Sequence, residues 1–210
     1  MSSDSHATDA LITHELRSPI ATILGYQELL ADRILDPATP RGADALDRIA
    51  HAARQLSTLV DGIDALSGSA APPDPASLSP FDPAHLLRFA IEEVASDAAM
   101  RGIRLDADIE ADVPPVPTEP DLLGRALQLV LHAALKSATG DTIAISLRQV
   151  PGAVTFAVQV AGLQTVPDSL REARDGADVR MVMANCMVRL LGATLRAEPG
   201  IAVLSVPRAD

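Results

Sequence analysis

Cysteine is almost missing from this sequence. Cys186 is its single copy, so no intrachain disulfide can form, which suits a reducing cytoplasm. Basic residues are also scarce. With 17 Lys+Arg against 28 Asp+Glu and a formal net charge of -11, no basic field exists to draw nucleic acid or an anionic membrane surface. Long apolar runs are absent as well. The stretch from Ala126 to Leu135 is interrupted by Gln128 and His132 and falls short of the roughly 18 residues that a membrane span requires. The opening Met1-Ser2-Ser3-Asp4-Ser5-His6 has no basic region followed by an apolar core, so no secretory signal is expected and the cytoplasm is the expected location. No second His or Cys stands at ligand spacing from His132, which is therefore read as a packing residue on an apolar helix, with no metal bound. Cys186, flanked by Met183 and Met187, reads as a core residue.

What is present divides in two. At 210 residues the chain suffices for one ordinary domain or two small ones. Residues 1–67 carry helical patterns, residues 68–77 a proline-rich linker, and residues 78–210 a mixed pattern. The first helix spans Leu11 to Leu35, with Thr8 or Asp9 as its cap and a seam at Ile12, Leu16, Ile20, Ile23, Leu30 and Ile34. Two prolines and a glycine in Asp36-Pro37-Ala38-Thr39-Pro40-Arg41-Gly42 break the pattern. A second helix follows with Leu46, Ile49, Ala53, Leu56, Val60 and Ile63 in alternating steps of three and four. A lone hairpin leaves half of each seam in water, so a homodimer closing a four-helix bundle is expected.

Beyond the linker, Phe81-Asp82-Pro83 opens a helix running to about Arg101. A strand follows with Ile103, Leu105, Ala107 and Ile109 inward, then a proline-rich turn from Val113 to Pro117. A helix from Leu122 to about Ser137 precedes two strands, Thr142 to Gln149 and Val154 to Val160. The chain closes with a helix from Val179 to Leu191 and a hairpin of Thr194 to Glu198 with Ile201 to Val206. The fold class is therefore α+β: a helical hairpin, then an α/β sandwich with helices on one face of a mainly antiparallel sheet.

The chemistry sits on the first helix, in His14-Glu15-Leu16-Arg17-Ser18-Pro19. His14 lies off the apolar seam, so its imidazole faces outward as a nucleophile. Glu15 beside it offers a carboxylate to the ring's other N–H, fixing the tautomer and taking up the proton. Pro19 lacks an N–H and should bend the helix one turn further on. These features together suit a phosphoryl relay.

In this order, and continuing through Ile20, Ile23, Leu24, Gly25, Tyr26 and Leu29, the residues resemble the H-box of the two-component sensor histidine kinases, with Ser18 where the family usually has Thr. The later element order, with Phe81-Asp82-Pro83, Arg101-Gly102-Ile103 and Leu190-Leu191-Gly192-Ala193, resembles the family's ATP-binding domain. That resemblance implies a site for ATP and magnesium: an Asn-rich helix, an Asp-x-Gly-x-Gly at a strand end and a Gly-x-Gly loop. Here Leu129 and Ala133 stand at the two Asn positions, Val160 at the Asp position before Gly162, and Gly176 is the remaining loop glycine, with Asp178 close by. Arg180 reads as a surface arginine. No nucleotide or other cofactor is expected to bind.

The resemblance then implies a histidine-containing phosphotransferase of a two-component phosphorelay, of the dimeric type built on a degenerate kinase scaffold. His14 is the phosphorylated residue, Glu15 its orienting base, Arg17 a charge neutraliser, and Ser18 a group positioning water or the partner. Ala21, Leu24 and Gly25 form the docking face for response-regulator receiver domains, whose pocket supplies Mg²⁺. A residual autokinase and a non-enzymatic adaptor binding a kinase or response regulator are the alternatives. The short stretch ahead of the relay helix leaves no room for an input module, so none is expected.

Overall fold

The structure, a computed structural model, describes residues 2–68, 70–74, 78–165, 167, 169–170 and 172–208, without the side chains of residues 2–9. Contacts divide the chain into two compact units, Met1–Asp61 and Gly62–Asp210.

Helix α1 (Ser2–Ala31) begins ahead of the expected caps Thr8 and Asp9. Neither Gly nor Pro occurs between Ser2 and Ser18, so nothing in this stretch stops the helix from extending. It also ends earlier than Leu35. Arg33 adopts a left-handed φ of 56°, and the N–H groups of Ile34 and Leu35 both reach the Leu29 carbonyl at 3.0 Å, the tight ending expected of a helix stopped by one left-handed residue. Ile34, expected on the seam, is thereby left 67% exposed.

Helix α2 (Pro40–Ser67) starts inside the expected break. Thr39 Oγ1 accepts the Gly42 N–H at 3.2 Å and Pro40 takes the first helical position, where its missing N–H costs nothing. Gly42 is required by close approach: a Cβ there would lie 1.9 Å from the Asp36 carbonyl oxygen. The α2 seam is double. Ala45, Ala52 and Leu59 are the buried positions, whereas Leu46 and Val60, one step round the helix, remain 47% and 46% exposed. Across the hairpin the Arg48 guanidinium lies 5.9 Å from the centre of the Tyr26 ring. The expected linker falls on Gly68 and residues 70–74, while Ser69 and residues 75–77 lie outside the described residues.

The second unit opens with a ribbon that sequence pattern did not reveal. Strands β1 (Ser79–Phe81) and β3 (Val116–Thr118) pair antiparallel with Pro80 opposite Pro117, and three residues apiece are too few for alternation to register. The main sheet has the order β2-β4-β5-β7-β6. Its strands are β2 (Arg104–Ile109), β4 (Thr142–Val150), β5 (Ala153–Gln159), β6 (Thr194–Glu198) and β7 (Ile201–Pro207), all neighbours antiparallel except β2 and β4. Strand β2 is an edge strand paired on one side only, so Ala107 is exposed rather than inward.

Helices α3 (Pro83–Met100), α4 (Pro120–Ser137) and α5 (Gly176–Leu190) form the other layer. Asp82, Glu119 and Asp175 cap them in turn, each carboxylate accepting first-turn N–H groups. Ile143, Ile145 and Leu147 of β4, Phe156 of β5, and Leu123, Leu127, Leu131, Met183 and Met187 of α4 and α5 are fully buried. Each such side chain contributes roughly 1.5–3 kcal/mol by leaving water.

Gly162, just after β5, has a φ of 101°, and a Cβ there would meet the Ser137 carbonyl oxygen at 2.0 Å. Both the conformation and the space exclude a side chain, so Gly162→Ala is expected to lower stability by about 1–3 kcal/mol. Urea unfolding followed by circular dichroism measures this.

Candidate functional site

Successive helix positions turn by roughly 100°, and α1 uses that turn to separate two charges. The His14 side chain is 78% exposed whereas that of Glu15 is 2% exposed. His14 Nδ1 stands 3.6 Å from Glu15 Oε1, beyond ordinary hydrogen-bond length but near enough for a small ring rotation to close it. One turn on, Pro19 is buried inside an otherwise continuous helix, where it leaves the Glu15 carbonyl without its usual helical donor. Arg17 and Ser18 are exposed beside His14, and the Ser18 carbonyl accepts the Thr22 hydroxyl at 3.2 Å.

Helical spacing aligns His14 with Ser18, Ala21 and Gly25 on one stripe. All are exposed, and nothing lies within 4 Å of where a Gly25 Cβ would be. Small residues thus leave open surface along the helix from the imidazole. Leu24, one step round, is 54% exposed.

In the second unit, Leu129, Ala133 and Val160 are at most 3% exposed. They carry hydrocarbon and give neither a metal ion an oxygen ligand nor a purine amino group an acceptor. A cavity of about 350 Å³ remains, lined by residues including Lys136, Gln164, Thr165, Arg174, Asp175 and Asp178. The Asp175 Oδ1 cap accepts the N–H groups of Ala177 and Asp178 at 2.9 and 3.0 Å. Asp178, 8% exposed, accepts from Arg174 N at 2.8 Å and Arg174 Nε at 3.2 Å. These residues do not fit ATP and magnesium: the metal ligands and the purine acceptor are replaced by hydrocarbon, and two carboxylates stand at the start of α5. Arg174 and Asp175 escaped the sequence reading, although an Asp followed three residues later by a second acidic residue at a helix start is a legible capping pattern.

Arg180 is 5% exposed, so it is a buried rather than a surface arginine. His132 packs between helices. Its Nδ1 lies 2.8 Å from the Gln128 carbonyl oxygen and its Nε2 3.5 Å from Asp97 Oδ2. Cys186, expected in the core, is only half-buried, unlike its fully buried neighbours Met183 and Met187, and that burial pushes its thiol pKa up. No helix among the described residues is long and apolar enough to cross a membrane.

The exposed histidine on a helical hairpin, followed by this sheet and helix order, is the scaffold of the two-component histidine kinases, a helical phospho-acceptor region and an ATP-binding-type fold. The fold is accordingly like that of the histidine kinases. Residues 10–69 match the His Kinase A (phospho-acceptor) domain. The sensor protein DivL of Caulobacter vibrioides is 27% identical over 201 residues, 90% of this chain and 26% of DivL. The chain thus spans about a quarter of that relative. Two solved structures share the fold. The Acinetobacter baumannii histidine kinase AdeS has a TM-score of 0.58 at 14% identity, covering 94% of this chain and 98% of that one. Full-length ShkA, determined in complex with AMPPNP, has a TM-score of 0.61 at 21% identity, covering 97% and 46%.

Burial holds the His132 imidazole below its ordinary pKa of 6.5; the Asp97 hydrogen bond opposes this and the Arg180 charge adds to it. The folded pKa is depressed, so on acidification the unfolded chain takes up this proton first. The stabilising contribution is complete above pH 6.5 and declines below it. The urea midpoint is expected to fall between about pH 7.5 and about pH 5.5, and to fall less in His132→Gln.

Proposed function

We propose that the chain is a histidine-containing phosphotransferase of a two-component phosphorelay, moving a phosphoryl group between receiver-domain aspartates through His14 without ATP. The observation that carries this reading is the pairing of a 78% exposed imidazole with a 2% exposed carboxylate, in a chain whose second unit has hydrocarbon where metal and purine contacts would be made.

A free ring nitrogen of His14 attacks the phosphorus of an aspartyl phosphate on the incoming receiver. The N–P bond forms as the P–O bond to the acyl oxygen breaks, and the receiver's aspartate leaves as a carboxylate. Positive charge gathered on the ring is relieved by loss of the other ring N–H proton toward Glu15. The second transfer reverses these steps onto another receiver. Mg²⁺ and the acidic pocket come from the receiver, so this chain supplies a nucleophile and its placement, which account for much of phosphoryl-transfer catalysis. Arg17 offsets charge beside the transferring group, Ser18 positions water or the receiver, and the receiver seats along Ala21, Leu24 and Gly25.

Ile20, Leu46 and Val60 are 41–47% exposed in the single chain. In this reading they are the faces that a second copy covers, each gaining roughly 0.6–1.4 kcal/mol when its remaining exposed surface is buried. Light scattering on a sizing column should give twice the chain mass at micromolar concentration, and Leu46→Asp with Val60→Asp should return the monomer. A wild-type monomer would refute the dimer.

Incubation with a phosphorylated receiver should label the wild-type protein and leave His14→Gln unlabelled, with no labelling by ATP and magnesium alone. Labelling by ATP alone would favour a residual autokinase. A folded wild type that no receiver labels would favour an adaptor.

A further inference from the structure

We propose that the α5 end of the second unit's cavity is closed by the protein's own carboxylates, which occupy the place of an anionic ligand, assemble that end without one and turn anions away. A helix N-terminus attracts anions through unpaired N–H groups and the positive end of its dipole. In α5 two of those N–H groups are already engaged. Asp175 engages the N–H groups of Ala177 and Asp178. Asp178 turns back out of the first turn to accept the backbone N–H and Nε of Arg174.

An ordinary cap needs only the first carboxylate. The second ties down the residue ahead of the cap, and with 8% exposure it keeps its charge largely out of water. The Arg174 side chain is 66% exposed, so its charge pairing counts for little; the closure rests on the backbone donors and the buried carboxylate. Lys136 also lines the cavity, together with both carboxylates.

The inference is independent of phosphoryl transfer at His14, which either result leaves unaffected. The probe is inorganic pyrophosphate without metal, titrated calorimetrically into the full chain. Wild type should show no saturable binding. Asp175→Gly combined with Asp178→Asn should bind at least tenfold more tightly, its fold checked by circular dichroism. Equal affinity in wild type and variant, or a folded variant that gains no binding, overturns the proposal. Amide exchange on the ligand-free wild type decides the case if the variant does not fold. The Arg174, Ala177 and Asp178 amides should exchange at least tenfold slower than free-peptide rates, and exchange at free-peptide rates overturns it.

Discussion

A side chain that reacts with a partner has to be reachable and held still, demands that usually conflict because what holds a side chain also covers it. Adjacent positions on α1 divide the two. Glu15 turns inward and is fixed by burial, while His14 turns outward with its Nδ1 3.6 Å from that carboxylate. Continuity of the helix through Pro19 and the small residues Ala21 and Gly25 follow the same logic, keeping the pedestal firm and its flank clear. Two amphipathic seams on α2, one buried and one exposed, let the hairpin fold and still leave apolar surface uncovered.

The second unit separates fold from site. Leu129, Ala133 and Val160 belong to its apolar interior, where they add to packing. Fold and chemistry are separable because strand order and buried face need only apolar alternation, whereas a metal or purine site needs particular oxygens.

The same distinction explains what could be read from the sequence. Strands β4, β5, β6 and β7 were legible because Ile143, Ile145 and Leu147 alternate strictly with half-exposed neighbours, and Gly152 and Gly200 mark the turns between hairpin partners. The outward placement of His14 was legible because the apolar seam of its helix is local. Less visible were features set by tertiary context. The β1–β3 ribbon is too short to show a period, Ala107 is exposed because its strand lies at an edge, and Arg180 is buried although its charge suggests a surface position. The expected seam of α2 is the one the single chain leaves exposed, and the buried series one step round escaped the sequence reading. Leu46, Ala53 and Val60 form as regular an apolar series as Ala45, Ala52 and Leu59, and size alone favoured the larger residues, which the single chain leaves exposed.

The margins of the main sheet bear on how the chain behaves when crowded. An unpaired strand invites another molecule's backbone to extend the ladder, the first step toward aggregation. Strand β2 sets Arg104, Asp106 and Asp108 outward at one margin, and β6 sets Arg196 and Glu198 outward at the other. Neither margin offers an apolar row for a foreign strand to lie against. Contact between copies at high concentration therefore does not lead readily to fused sheets.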